Sequence, residues 1–366
     1  MYNHQEYYKL EFMGKKLHVI DLFSGCGGLS LGFEQTGKFK AIAGVDNYKD
    51  ALETFVANHP GAKGLDLDLF DESFTKQIKQ AIGNIDVDVV VGGPPCQGFS
   101  LTGPRNFDDK RNSLYLAMIK AVKDLKPKAF LIENVPGLAT MYDGKVKDEI
   151  LHRFEELGYE VKHRVLLAAD YGVPQMRRRV FFVGIKKGLG EFKFPQPIRD
   201  EATYVTTSEA ISDLPPRNND MGEEVDDYSA KPKSDFQKEM RKHSTKLMNH
   251  VATKHTDKVK DVIALVPDGG NYKDLPEGIG EHRKFNEAWT RYSSKKPSRT
   301  IDTGHRNHFH YKWDRVPTVR ENARLQSFPD DFVLKGSRTS QHRQVGNAVP
   351  PLLAEAVASE IYKAIK

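Results

Sequence analysis

Short apolar runs alternate with amphipathic stretches through the first half of the chain, and each run stops on a glycine, a proline or a carboxylate. The runs at 18–23, 40–46, 87–91, 129–133, 160–168 and 179–185 read as strands. Between them lie helical patterns. From Ser113 onward, Leu114, Ala117, Met118, Ala121, Val122 and Leu125 share one face, wide enough to cover a sheet. This alternation forces strands into parallel neighbours joined by crossover helices, so the expected architecture is a doubly wound α/β domain with its ligands at the carboxyl edge. After about Gly190 the pattern fades into prolines, an acidic cluster at 223–227 and a lysine-rich stretch at 231–260, the mark of a second, smaller domain or large insertion. Regular spacing returns at Leu353, Val357, Ile361 and Ile365, one face of a terminal helix behind Pro350 and Pro351. A length of 366 residues suits one large domain plus a smaller one.

Composition narrows the setting. Two cysteines exclude a disulfide framework, and no Cys/His set has zinc-ligand spacing, so no metal is expected. The opening residues lack the apolar core of a leader and no window approaches a membrane span, which makes a cytoplasmic protein the expectation. A net charge of +5 is too small to identify a partner until the charge is located.

Two strand ends carry reactive groups. The run 89–91 ends in Gly92-Gly93-Pro94-Pro95-Cys96, which presents a thiol rather than packing it. The run 129–132 ends in Glu133-Asn134, so a carboxyl group emerges at a second strand end, and the two together suggest covalent catalysis at the sheet edge. The turn Asp21-Leu22-Phe23-Ser24-Gly25-Cys26-Gly27-Gly28 follows the first strand and opens a helix, and Asp46 closes the next strand. Its glycines depart from the dinucleotide order G-x-G-x-x-G, which favours a nucleoside cofactor without a pyrophosphate. Cys26, inside this turn, is expected to be packed.

The turn Phe23-Ser24-Gly25-x-Gly27-Gly28, then Pro95-Cys96-Gln97, Glu133-Asn134-Val135, Gln175-Met176-Arg177-Arg178-Arg179, the 324–329 run Arg-Leu-Gln-Ser-Phe-Pro and the 346–351 run Gly-Asn-Ala-Val-Pro-Pro stand in one order. In that order the chain resembles the bacterial DNA (cytosine-5)-methyltransferases of restriction-modification type, from about residue 17 to its end. The resemblance implies a Rossmann-like S-adenosylmethionine-dependent methyltransferase sheet formed by residues 1–190 and 344–366. It implies a target-recognition domain at 191–315 and a hinge segment at 316–343. It makes Cys96 the nucleophile for carbon 6 of cytosine, Glu133 the proton donor to N3, with a pKa raised by partial burial, and Arg177 and Arg179 active-site cations. An extended segment puts Gln175, Arg177 and Arg179 on one side and turns Arg178 away. For S-adenosyl-L-methionine it implies Phe23, Gly25, Gly27, Gly28, Asp46, Asn47, Pro95, Leu114, Asn347 and Val349. Asp66 and Asp68 both fit the adenine amino group, with Asp68 preferred. Asn47 stands where many relatives carry a large apolar or aromatic residue, so stacking on adenine there is in doubt.

A cytosine inside a duplex hides its faces, so this chemistry requires base flipping. The loop 98–112 reads as a lid, with Gln97, Ser100, Arg105 and Arg111 as DNA contacts. In the second domain Arg291, Lys295 and Arg299 suit phosphates and base edges. His305, His308 and His310 lack an acidic or thiol partner nearby in sequence and are assigned to backbone contact or hinge packing rather than to a metal. The expected partner is duplex DNA, met by a monomer. A cognate restriction endonuclease would share the site without needing to bind. A tRNA cytosine-C5 methyltransferase is the competing enzyme and a catalytically silent DNA-binding relative the competing non-enzyme, while a dehydrogenase lacks its pyrophosphate loop.

Overall fold

The computed structural model describes residues 15–95, 114–218, 220–280, 288–304 and 307–366. Its centre is a seven-stranded sheet. The strands are β1 (Leu17–Leu22), β2 (Phe39–Val45), β3 (Lys63–Leu65), β4 (Val89–Gly92), β5 (Ala129–Asn134), β6 (Tyr159–Leu167) and β7 (Arg178–Lys186). Their order across the sheet is β3-β2-β1-β4-β5-β7-β6. β1 pairs parallel with β2 and β4, and β4 with β5, as the strand and helix alternation requires. β7 departs from that rule. It runs antiparallel to both β5 and β6, so the chain turns back after β6 by way of residues 168–177 instead of a crossover helix.

Helices cover both faces, and the sidedness follows the residue period of two along each strand. On one face Val19, Val89, Val91, Leu131, Phe181 and Val183 pack against α1 (Gly28–Gln35) and the terminal helix. On the other, Ile20, Leu22, Val90, Phe130, Ile132 and Phe182 pack against α3 (Phe74–Ile82), α4 (Leu114–Leu125) and α5 (Lys145–Glu156). Each large side chain buried this way contributes about 1.5–3 kcal/mol. Helix α2 (Lys49–Asn58) sits over β2 through Phe55, which packs with Ala41 and Ala62. The edge strand β3 has no apolar run to announce it, being exposed or half-buried throughout.

The region after 190 builds smaller cores. Ala210, Ile211, Leu214, Leu247, Tyr292, Ile301 and Leu325 form one, and Ile263, Val266, Phe309 and Val316 another. Three helices close the chain: α6 (Val319–Leu325), α7 (Arg338–Asn347) and α8 (Pro351–Ile365). A capping box starts α6, with Glu321 N donating to Thr318 Oγ1 and Thr318 N donating to Glu321 Oε2. Residues 333–335 are held from two sides. Asn58 of α2 exchanges two bonds with Val333, at 2.9 and 2.8 Å. Asn249 exchanges two with Leu334, at 3.0 and 2.9 Å. Among the described residues no helix is long and apolar enough to cross a membrane.

Candidate active site

The carboxyl ends of β1 and β2 build the first half of the site. Beyond β1 the backbone turns sharply, with positive φ at Phe23, Gly25 and Gly27. Two glycines of the turn, Gly27 and Gly28, leave no room for a side chain. A Cβ on Gly27 would fall 2.2 Å from His59 Nε2, and one on Gly28 2.4 Å from the Val349 carbonyl. His59 is held by Glu34, whose Oε2 lies 2.7 Å from His59 Nδ1, so a fully buried ring forms the floor of the turn. Asp46, one residue beyond β2, accepts from Gly25 N through Oδ2 and from Tyr48 N through Oδ1, both at 2.8 Å. A carboxylate has about four lone-pair sites, so Asp46 keeps capacity for ligand hydroxyls.

Helix α1 starts at Gly28 without a side-chain cap, and the N–H of Ser30 in its first turn faces Asp21. Ser24 adds a buried hydroxyl with no hydrogen-bond partner among the described residues. Asp21, behind the turn, accepts from the Ser30 hydroxyl at 2.7 Å. Burial drives its pKa up to about 7, with the nearby Asp46 adding to the rise and the Ser30 bond opposing it. Ser24, Asp21 and His59 were not singled out among the sequence candidates, because a hydroxyl, a strand carboxylate and a histidine acquire meaning here only from what surrounds them.

The other cofactor candidates fall into place unevenly. Asn347 and Asn47 are exposed, as is Pro95. Leu114 and Val349 are buried, and Val349 packs into the core beneath α8. Asp66 and Asp68 are both exposed just past β3; Asp68 Oδ1 already accepts from Phe70 N at 2.9 Å, closing a local turn. Cys26 is packed, as expected, and burial lifts its thiol to about 12.

β5 and β7 build the second half. Glu133, next to last in β5, stands opposite Phe181 in β7, and its carboxylate lies against Gly93, where a Cβ would fall 3.1 Å from Oε2. Asn134 Nδ2 donates to the Pro94 carbonyl at 2.8 Å, which ties the chain entering Cys96 to the end of β5. Glu133 Oε1 lies 2.8 Å from Arg179 Nε. The two form a close ion pair. Burial pushes the Glu133 carboxyl up, against the pull of Arg179 and Arg177.

The side-chain alternation through 175–179 is as expected. Gln175 and Arg177 are buried, Arg179 is half-buried and Arg178 is exposed. Arg177 Nη2 donates to Gly346 O at 3.1 Å, whereas its Nε and Nη1 are buried with no partner among the described residues. Burial, reinforced by Arg179, lowers its proton affinity, yet a guanidinium is basic enough to stay charged. A buried cation with two unused nitrogens beside a carboxyl of raised pKa is costly by itself and suits a polar, neutral ring that can accept and donate hydrogen bonds.

Cys96, Gln97, Ser100, Arg105 and Arg111 lie outside the described residues, as does His305. Lys295 and Arg299 are exposed. Arg291 is not, which corrects its reading as a DNA contact. Its guanidinium is buried and all its donors are used, on the carbonyls of Val266, Ile263, His310 and Trp313 and on Asp314. A residue so occupied holds the region's interior together and has nothing left for a phosphate. His310 and His308 are buried as well. His310 Nδ1 accepts from the backbone N–H groups of Lys312 and Trp313, and desolvation, opposed by Glu321, takes its pKa down to about 3, so it packs as a neutral ring. No cluster of metal-ligating side chains occurs among the described residues.

The model of the C-5 cytosine-specific DNA methylase family matches residues 17–363. The type II methyltransferase M1.HphI of Haemophilus parahaemolyticus is 42% identical over 95% of this chain and 87% of its own length. M.DdeI of Desulfomicrobium norvegicum is 39% identical over 94% of this chain and 88% of its own. Among solved structures, a "putative DNA modification methyltransferase" encoded within an E. coli prophage superposes with a TM-score of 0.78 at 28% identity, covering 95% of this chain and 99% of that one. With a doubly wound sheet whose carboxyl edge carries the glycine turn, Glu133 and the two arginines, the chain belongs to the C-5 cytosine-specific DNA methylases.

Proposed function

We propose that this enzyme methylates carbon 5 of a cytosine flipped out of duplex DNA, using S-adenosylmethionine and a covalent adduct to Cys96, as the modification enzyme of a restriction-modification system. One observation carries the reading: a Glu133–Arg179–Arg177 cluster with unused polar atoms on Arg177, set beside the end of β4 from which the chain runs into Cys96. The glycine turn fits the cofactor. Its close-packed glycines, the unpartnered Ser24 hydroxyl and Asp46 offer partners for a carboxylate and for ribose hydroxyls.

S-adenosylmethionine, when bound, supplies an electrophilic methyl group. Carbon 5 of cytosine is a poor nucleophile until the Cys96 thiolate adds to carbon 6 and makes the ring enamine-like. As the sulfur adds, negative charge moves toward N3 and O2. Glu133, held toward its protonated form by burial, donates to N3, and Arg177 directs its unused nitrogens to O2. The same arginine field favours the thiolate. Once carbon 5 has taken the methyl group, loss of its proton and departure of the sulfur restore the aromatic ring.

Residues 191–315 are assigned to reading DNA, with Lys295 and Arg299 as exposed contacts, and residues 316–343 to joining them to the catalytic unit. The test is transfer of labelled methyl groups from S-adenosylmethionine to unmodified duplex DNA. Cys96→Ser should abolish it, and DNA carrying 5-fluorocytosine at the target should trap the wild type covalently. Turnover retained in Cys96→Ser would overturn the covalent mechanism. Preference for unmodified tRNA over duplex DNA would replace the substrate.

A further inference from the structure

Gln175 stands two residues before Arg177, is fully buried, and spends its amide in three bonds on two separate segments. Its Oε1 accepts from Ile301 N at 3.1 Å, and its Nε2 donates to Leu325 O at 3.2 Å and to Gln326 Oε1 at 2.9 Å. Gln326, also fully buried, passes the connection on, donating to the carbonyls of Val345 at 2.8 Å and Ala348 at 3.2 Å. Those carbonyls flank Gly346, whose own carbonyl is the acceptor for Arg177 Nη2. Gly346 in turn packs under residues 302–303: a Cβ there would meet the Asp302 carbonyl at 2.5 Å and Thr303 N at 3.0 Å.

The backbone repeats the connection. Met176 N donates to Ser298 O at 2.8 Å and Ser298 N to Pro174 O at 2.9 Å, so residues 174–176 and 298 form a short parallel bridge. Arg177 itself is fixed at both backbone groups, its N–H on Gln175 O and its carbonyl accepting from Ala168 N. Upstream along the same strip, Thr207 N–H and hydroxyl donate to Lys296 O. The exposed lysines of the recognition region therefore sit on the strip that clasps the catalytic arginine.

We infer that Gln175 is a positioning residue: with Gln326 it sets Arg177 on the target cytosine by fastening the arginine segment, residues 298–301 of the recognition region and residues 345–348 into one piece. It touches no reacting atom. This rests on the function proposed above, because it presumes that Arg177 meets the flipped base. An error of about 1 Å in such a group can cost on the order of 10²-fold in rate.

The test uses the full chain, labelled S-adenosylmethionine and unmodified genomic DNA, with cofactor binding measured separately by calorimetry with S-adenosylhomocysteine. Gln175→Leu keeps the bulk and removes the three side-chain bonds. It is expected to lower kcat about 10- to 100-fold while the Kd for S-adenosylhomocysteine stays within about twofold. The double variant Gln175→Leu/Gln326→Leu should fall no more than about twofold below the weaker single, since both act through one chain of bonds. A kcat within about twofold of wild type, an equal loss of cofactor affinity, or losses that simply multiply would each overturn the inference. Should Gln175→Leu not fold, Gln326→Met removes the Gln175–Gln326 bond and the two bonds from Gln326 to the Val345 and Ala348 carbonyls, leaves Gln175 on Ile301 and Leu325, and is read by the same criteria. Absence of transfer by the wild type would instead reject the proposed function itself.

Discussion

The two halves of the site are finished to different degrees. At the cofactor end the charged groups are already met: Asp46 takes two backbone N–H groups, Asp21 takes a serine hydroxyl and Glu34 meets His59, so that the atoms left over are neutral ones, the Ser24 hydroxyl and His59 Nε2. At the arginine end it is a charged group that is left over: Glu133 meets Arg179, but Arg177 Nε and Nη1 are buried and without a partner among the described residues. A self-satisfied turn is built to be rigid before anything binds. An arrangement of unmatched buried charge is built to be completed by its ligand, and it is there that binding energy can be directed into the reaction.

That contrast can be broken at several points. The largest effect is expected at Glu133→Gln, which keeps the shape and removes the transferable proton. Methyl transfer should fall by on the order of 10²–10⁴-fold with cofactor affinity little changed, measured as single-turnover rate against calorimetric Kd. Because burial raises the Glu133 pKa, wild-type activity should decline on the alkaline side as this carboxyl ionises, and the variant should lose that limb.

Next is Asp21→Asn. The native state holds the Asp21 proton more tightly than the unfolded chain, since its pKa stands at about 7. Its stabilising contribution is therefore full below the ordinary carboxylate range and lost as pH climbs from about 4 to 7, by about 4 kcal/mol. Denaturant unfolding across that range should show a flatter pH profile in Asp21→Asn. An unchanged profile would mean the turn is less sealed than the comparison claims.

Gly27→Ala tests rigidity directly. The added methyl would collide with His59 Nε2 and needs a φ of 95° that alanine avoids. A strain of about 1–3 kcal/mol should weaken S-adenosylhomocysteine binding roughly 10-fold, leaving trapping by 5-fluorocytosine DNA nearly intact when cofactor is saturating. The smallest effect is expected at exposed Lys295. In Lys295→Ala, DNA affinity should drop severalfold regardless of sequence, and the salt slope should lessen by about one unit. Arg291→Ala, by contrast, should show itself as lost stability.

Much of the sheet and the site was legible because both obey a short period. β1, β2, β4, β5 and β7 are apolar runs, and the exposure of Arg178 between buried Arg177 and half-buried Arg179 is the same period of two. β3 was not legible, since three half-exposed residues at a sheet edge carry no apolar signal. Arg291 misled for a different reason. Apart from Asp314, its acceptors are backbone carbonyls at 263, 266, 310 and 313, and a carbonyl is common to every residue, so nothing in the sequence marks where a guanidinium will find them. Gln175 was legible as a motif member, but its link to residue 301 exists only once the chain has folded back on itself.

The region after residue 190 and its junction with the closing helices contain buried ion pairs beside their apolar side chains. Arg324 lies between Asp213 and Asp330, and Arg315 forks onto Glu321, with every one of these side chains shut off from water. Losing one member of such a pair costs about 3–5 kcal/mol, whereas exchanging a residue on the outer surface changes stability by about half a kcal/mol or less. The interior is thus intolerant and the exterior permissive. If this region reads DNA as proposed, a lineage built on such a frame would change target by drifting at its outward side chains while the strip that clasps Arg177 stays untouched.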